Sequence, residues 1–230
     1  FGLQSQEIEN KLRFDFNQYK NGWKYSFGGV AQYVKYNSSL YNKITQNIYD
    51  STGTLIVPAQ IIEGNSEIDF FKYGLFVQVS KNIFKDKLLV SAGVRTDMNS
   101  FTNKGNNPLE TISPRLSLAY HLNNRWDITA SVGSYFKIPT YTSLGYQNIA
   151  GEYVNQSLAY IRSDHYVLGA QFLPNQGLRI TLEGFYKEYS NYPVSVANGV
   201  SLANQGQEFG AVGNEFVTSD GKGQTYGFEV

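Results

Sequence analysis

Histidines, acid–base neighbours and clustered phenols are the side chains of this sequence with chemistry to offer. His121 and His165 are its only two histidines. A metal site needs several ligands converging on one point, and neither histidine has a second ligand type at useful spacing. Solvated positions on a polar face are the simpler account of both. Asp164-His165 places an acid beside a base. Successive residues in an extended strand point to opposite faces, so these two cannot form a general acid–base dyad. No catalytic residue, metal site or cofactor is expected.

A mixed-sign series runs through Arg95, Asp97, Arg115, Asp127, Lys137, Arg179, Glu183 and Lys187. It could guide a charged substrate, but pairing across neighbouring strands is the commoner use of such residues. Tyr36, Tyr41, Tyr49, Tyr141, Tyr146, Tyr153 and Tyr160 fall between the strand-like segments. Rings on loops can stack on a sugar, a siderophore or another aromatic ligand, or pack on each other. Tyr41, Tyr49, Tyr141, Tyr146 and Tyr153 are the candidate ligand contacts. The Gly-rich stretch 199–223 lacks the strand–loop–helix context of a phosphate cradle. Gly28, Gly29, Gly93, Gly133 and Gly169 mark bends or close neighbours in a sheet.

The elements that position these residues show in residues 113–140. Leu116, Leu118, Tyr120 and Leu122 alternate with Arg115, Ser117, Ala119 and His121. After Asn123-Asn124-Arg125 the pattern resumes with Trp126, Ile128, Ala130 and Val132. That is a hairpin. Eight alternating segments of this kind are predicted, at 8–16, 23–33, 72–79, 88–97, 113–120, 126–137, 165–172 and 178–187, with a ninth beginning near Gln224. Their connections alternate. Those at 20–22, 84–87, 123–125 and 174–177 are short, whereas those at 36–66, 99–111, 138–160 and 192–222 are mostly long and polar. An up-and-down meander with plain turns at one end and elaborated loops at the other produces that order.

What the apolar face touches is decided by charge and by aromatics. Fourteen charged residues lie within the eight segments, from Glu9, Lys11, Arg13 and Asp15 to Lys187, and all have the parity opposite the apolar face. Burial in a soluble sandwich would enforce this exclusion, and so would lipid, where Lys or Arg at mid-bilayer costs roughly 2–4 kcal/mol. Trp23 and Trp126 follow short turns, with Tyr19, Phe84 and Tyr120 at similar heights; Tyr33, Phe71, Phe136 and Tyr186 lie at the opposite ends. Rings at both strand ends match the two interfacial girdles of an outer-membrane barrel, whereas sandwich cores hold large aromatics in the middle. Lys plus Arg equals Asp plus Glu at 19 each, which gives nucleic acid no bulk attraction. There is no cysteine, as suits an exported bacterial protein. No apolar run reaches the ~18 residues of a transmembrane helix, a length that barrel strands do not need.

Ser113-Pro114-Arg115, followed by a short turn and Phe136-Lys137-Ile138-Pro139, resembles the barrel of TonB-dependent receptors. Residues 164–193 resemble the next hairpin of that family, and Tyr226-Gly227-Phe228-Glu229 the strand after it. The resemblance covers roughly 110–230, with Lys137 where the family more often has Arg. It implies energy-driven import of a scarce nutrient across the bacterial outer membrane, a plug domain elsewhere in the parent chain, and an inner-membrane energy-coupling complex acting through that plug. Family barrels have 22 strands, more than these nine.

The expected fold is therefore all-β, an antiparallel up-and-down transmembrane β-barrel segment of about nine strands. Residues 1–230 are expected to form part of one barrel domain, a segment of something longer without the plug. The expected function is nutrient import after capture by extracellular loops, with outer-membrane lipid, plug, coupling complex and small-molecule ligand as partners. A passive porin-like or small barrel is the alternative, and an outer-membrane hydrolase a more distant one.

Overall fold

The computed structural model describes residues 2–43, 45–59, 61–175, 177–206 and 212–230. Its strands are β1 (Gly2–Lys20), β2 (Trp23–Lys43), β3 (Ile48–Tyr49), β4 (Leu55–Val57), β5 (Ile61–Ile83), β6 (Leu88–Asn99), β7 (Ser113–Asn123), β8 (Trp126–Lys137), β9 (Ile161–Asn175), β10 (Leu178–Ser195) and β11 (Val217–Glu229). Nine of them form one antiparallel sheet in the order β1-β2-β5-β6-β7-β8-β9-β10-β11, while β3 and β4 pair as a separate small hairpin. Skipping that hairpin, every strand lies beside its neighbour in sequence. This is the up-and-down meander that the alternating connections predict.

Register fixes the faces, because directly paired residues share one. Val90 pairs with Leu118, Leu118 with Ala130, and Ala130 with Leu168, an unbroken apolar row across four strands. Carried across the sheet, the same register puts all fourteen charged residues on the other face. Tyr19 pairs with Lys24, whose ammonium lies 5.7 Å from its ring centroid, so this tyrosine belongs to the polar face rather than to an outer girdle.

The strands outrun the segments predicted for them. The connection expected at 36–66 shrinks to 44–60, because β2 continues to Lys43 and β5 begins at Ile61. The reason is a reversal of polarity. Beyond Tyr33 the former apolar face carries Lys35, Glu67 and Asp69, with Lys35 bridged to Glu67 at 2.6 Å. The former polar face there carries Val34, Tyr36, Ile68 and Phe70, all buried. Backbone pairing continues through the reversal, but an alternation read in one phase ends there.

That reversal also locates the core. Val34, Tyr36, Ile68 and Phe70 pack with Leu144 and Leu158 from the 138–160 connection, Leu202 from the next, and Val217 at the start of β11. The 138–160 and 192–222 connections therefore fold back over the polar face at one end of the sheet. At the other end the turns are tight. Asn21 and Gly22 have φ of 51° and 76°, the left-handed pair of a two-residue hairpin. Asn123 Oδ1 accepts from the amides of Arg125 (2.9 Å) and Trp126 (3.1 Å). Phe84, Lys85 and Asp86 are three consecutive residues with φ between 54° and 64°, a backbone that costs L-residues roughly 1–2 kcal/mol each.

Most of the apolar face is bare. Leu12, Phe14, Leu168 and Leu182 are half or more exposed, among many large apolar side chains on it. Soluble monomers seldom leave so broad an apolar surface to water. A sandwich would cover it with a second sheet, and the described residues supply none.

Candidate functional site

The site is built where the 138–160 connection meets the polar face. Thr140 caps a single helical turn, Tyr141–Leu144, its hydroxyl accepting from the Ser143 amide. The turn drives Leu144 into the core and holds Tyr141 over the sheet. There the Tyr141 hydroxyl donates to Glu9 Oε1 at 2.6 Å and accepts from Lys72 Nζ at 2.5 Å. Lys72 also reaches Glu9 Oε1 at 2.8 Å, and the Gln32 amide donates to the other carboxylate oxygen. Four groups from three strands and a loop thus close one network. The Tyr141 ring packs edge-on to Phe70 (5.6 Å) and tilted against Tyr36 (6.0 Å), while the Tyr36 and Thr142 hydroxyls lie 3.0 Å apart.

Buried amides tie the connections together. Asn155 donates to the carbonyls of Ser143 (2.7 Å) and Glu215 (2.8 Å) and accepts from the Val217 amide (3.1 Å). Asn99 donates to the Tyr160 hydroxyl at 3.1 Å. Burial pushes the Tyr160 phenol up to about 12. Burial, and then the Glu9 carboxylate, push the Tyr141 phenol up as well. Both remain neutral over any physiological pH.

Beneath this roof lies a cleft of about 350 Å³ whose walls include Lys11, Gln32, Lys72, Arg95, Arg115 and Tyr160. Arg95 is neutralised by Asp97 at 2.5 Å, and Lys72 by Glu9. Arg115 lies 4.3 Å over the Tyr135 ring, which in turn packs on His165 at 4.5 Å. Missing side chains make room for these cations. A Cβ on Gly74 would come within 2.9 Å of Arg95 and Asp97, and one on Gly133 within 3.1 Å of Arg115. The charged side chains of the cleft are four cations and one acid, set among apolar neighbours such as Val30, Met98 and Ile138.

The five candidate tyrosines do not form one cluster. Tyr141 and Tyr153 meet through Phe101 and Phe70, and the Tyr153 hydroxyl donates to the Glu67 carbonyl at 2.5 Å. Tyr146 is partly buried just after the helical turn. Tyr41 is not a loop residue. It sits in β2, 43 % exposed, on the face that carries Tyr33. Tyr49 is in β3, 55 % exposed, its hydroxyl accepting from Asn47. Sequence reading missed Glu9 and Lys72 as partners of Tyr141, and Gln32 as a partner of Glu9. Parity puts those three on the right face, but their meeting with a residue 69 or 132 positions from its direct partners depends on the loop's fold.

The histidines are held apart. His121 Nδ1 lies 2.6 Å from Asp127 on the paired strand, and His165 Nε2 lies 2.7 Å from Ser163. Asp164 faces away from His165 and accepts from Ser134 and Arg162. Among the described residues no three His, Cys, Asp or Glu converge.

A family described as TonB dependent receptor-like, beta-barrel, matches residues 3–230. The chain belongs to that family. The family is one of receptors and transporters of the bacterial outer membrane, so the bare apolar face meets lipid and the polar face the barrel interior. The aromatic spacing fits. Trp23 to Tyr33 and Trp126 to Phe136 are each ten residues, roughly 33 Å of strand, which tilted at about 45° spans the ~25 Å apolar band. Solved structures agree in fold. The outer membrane transporter YddB from Escherichia coli has 14 % identity and a TM-score of 0.63, with 98 % of this chain and 30 % of that chain covered. A mutant ferric enterobactin receptor, PfeA, from Pseudomonas aeruginosa, in complex with enterobactin, has 16 % identity and a TM-score of 0.61, with 98 % and 33 % covered. FpvAI in complex with pyocin S2 has 15 % identity and a TM-score of 0.60, with 98 % and 30 % covered. This chain thus spans about a third of the length of these structures. A comparison with curated proteins finds no match.

Proposed function

We propose that residues 1–230 are one continuous stretch of barrel wall in a receptor that imports a small nutrient ligand, with a plug supplied elsewhere in the parent chain. The ligand is captured at the end where the long connections fold inward, and passage follows plug movement driven from the inner membrane. The observation that carries this reading is the inward fold of the 138–160 connection. It closes over a cationic cleft on the interior face and is fastened there by Tyr141. Lys11 and Arg115 line that cleft without a carboxylate partner among the described ion pairs, which favours an anionic ligand. The neighbour with bound enterobactin makes a ferric catecholate the first ligand to try. The barrel is a transporter rather than an enzyme on this reading, and Tyr141, Tyr146 and Tyr153 are better placed for capture than Tyr41 or Tyr49.

The test is growth. Cells lacking the parent receptor are starved for one scarce nutrient at a time, with ferric catecholates included, and complemented with receptor in the presence or absence of TonB. Rescue on at least one nutrient that needs both receptor and TonB is expected, and it should be lost when Lys11 and Arg115 are replaced by Gln. Rescue independent of TonB would favour a passive barrel. Rescue indifferent to the double variant would remove the cleft from the account.

A further inference from the structure

The connection between β6 and β7 turns toward the lipid face. Its helical turn at Pro108–Thr111 and the following Ile112 pack beside Phe27, Leu75, Val77 and Val94, and together they line an apolar groove of about 460 Å³. All four strand residues have lipid-facing parity. Gly29, the direct partner of Leu75, leaves the wall flush there, for an added Cβ would lie 3.1 Å from Leu75 Cδ2.

Irregular backbone is tolerated at membrane depth only where protein covers it, so its polar groups must find partners within the protein. Several of the turn's polar groups are engaged. Thr96 has lipid-facing parity, and its hydroxyl donates to the Pro108 carbonyl at 2.6 Å. Thr111 is fully buried, its hydroxyl donating to the Asp97 carbonyl (2.5 Å) and accepting from the Asp97 amide (2.8 Å). Asn107 Oδ1 accepts from the Leu109 amide at 3.1 Å. Leu109 and Ile112 line the groove yet stay open on their other side, 72 % and 45 % exposed. A loop folded for water would turn these inward. The groove is no product of an open edge either, since β2, β5 and β6 each have both neighbours in the sheet.

We propose that this groove holds one acyl chain of an outer-leaflet membrane lipid, a fixed lipid site on the barrel wall. Depth and continuity argue for this occupant. The groove is part of the lipid-facing band, and Leu75 and Val77 lie further from the long-loop end than the girdle residues Phe71 and Tyr73. A water-borne partner meets the girdle first, whereas a lipid chain already lies alongside. The one polar side chain on that face of the groove, Thr96, spends its hydroxyl on the turn.

The full-length parent receptor is reconstituted in dimyristoyl phosphatidylcholine vesicles, extracted in mild detergent, and weighed intact by native mass spectrometry. Wild type should retain one phospholipid. Val94→Trp, which fills the groove, and Leu109→Ala, which removes one wall, should each reduce the retained fraction to background. Leu118→Trp, on the same face away from the groove, should leave it unchanged. Leu109 is mostly exposed, so its variant tests the site even if Val94→Trp fails to assemble. No retained lipid in wild type, or equal retention in Leu109→Ala and Leu118→Trp, would overturn the proposal.

Discussion

Leu118 and Ser117 show what one position along a strand decides here. Leu118 pairs with Val90 and Ala130 on the lipid face, and Ser117 with Ser91 and Ser131 on the interior one. Leu118→Arg should lower folding yield in vesicles, at a cost of roughly 2–4 kcal/mol, while Ser117→Arg should fold nearly as well as wild type. Equal yields would mean the faces are misassigned. This much was legible in the sequence, because lipid punishes charge at every second residue. The partners of Tyr141 were not, since a hydroxyl's contacts depend on where its loop lands. Tyr141→Phe removes the bonds to Glu9 and Lys72 and should weaken closure by roughly 1–2 kcal/mol. Amide exchange across 141–160 should speed up accordingly, with the strands unchanged. Tyr160 supplies a pH test. Its phenol is raised from about 10 to about 12 by burial, so the folded loop keeps a proton that the open loop loses. Closure should be unaffected below pH 10 and weaken steadily as pH rises from there through 12. Exchange in the same segment, followed at alkaline pH, should show a steeper dependence in wild type than in Tyr160→Phe, where only Tyr141 still contributes.

Among the elements, the strands were readable and the long connections were not. All eight alternating segments lie inside one strand each, and the ninth, predicted from near Gln224, falls inside β11. What escaped was nearly the upper half of β2 and β5, where water replaces lipid outside and folded-in loops replace water inside, so that polarity changes sides at Tyr33-Val34. The 138–160 connection is therefore a structural element as well as a candidate binding element. Deleting residues 142–158 removes Leu144 and Leu158 and strips part of the cover from Val34, Ile68 and Phe70. The barrel should still assemble, because its girdles and lower turns are untouched. The upper ends of β2 and β5 should become susceptible to proteolysis, and nutrient rescue should be lost. Shortening the turn at 123–125 should act in the opposite order. That turn is closed by Asn123 and sets the register of β7 on β8, so assembly yield should fall before binding does. If both changes lowered assembly yield equally, the division between capture end and assembly end would be lost.

At the scale of the whole molecule, the account is a sheet with two solvents. One face is continuous hydrocarbon between two aromatic levels. The other is a polar interior capped at one end by loops that carry their own small core. Composition could not show this, since mean hydropathy is −0.34 and charges balance at 19 each. Order along the chain could, because nine strands joined alternately by short and long connections leave few arrangements other than a meander. The absence of cysteine makes the decisive measurement straightforward. Single cysteines placed at 115–118 and 127–132 in the full-length receptor, labelled with an environment-sensitive fluorophore, are reconstituted in vesicles whose acyl chains are brominated near their middle. Strong quenching at 116, 118, 128 and 132, with little at 115, 117, 127 and 131, is the predicted result. Quenching that fails to alternate, or that alternates in the opposite phase, would contradict the assignment of these faces and the barrel-wall account with it.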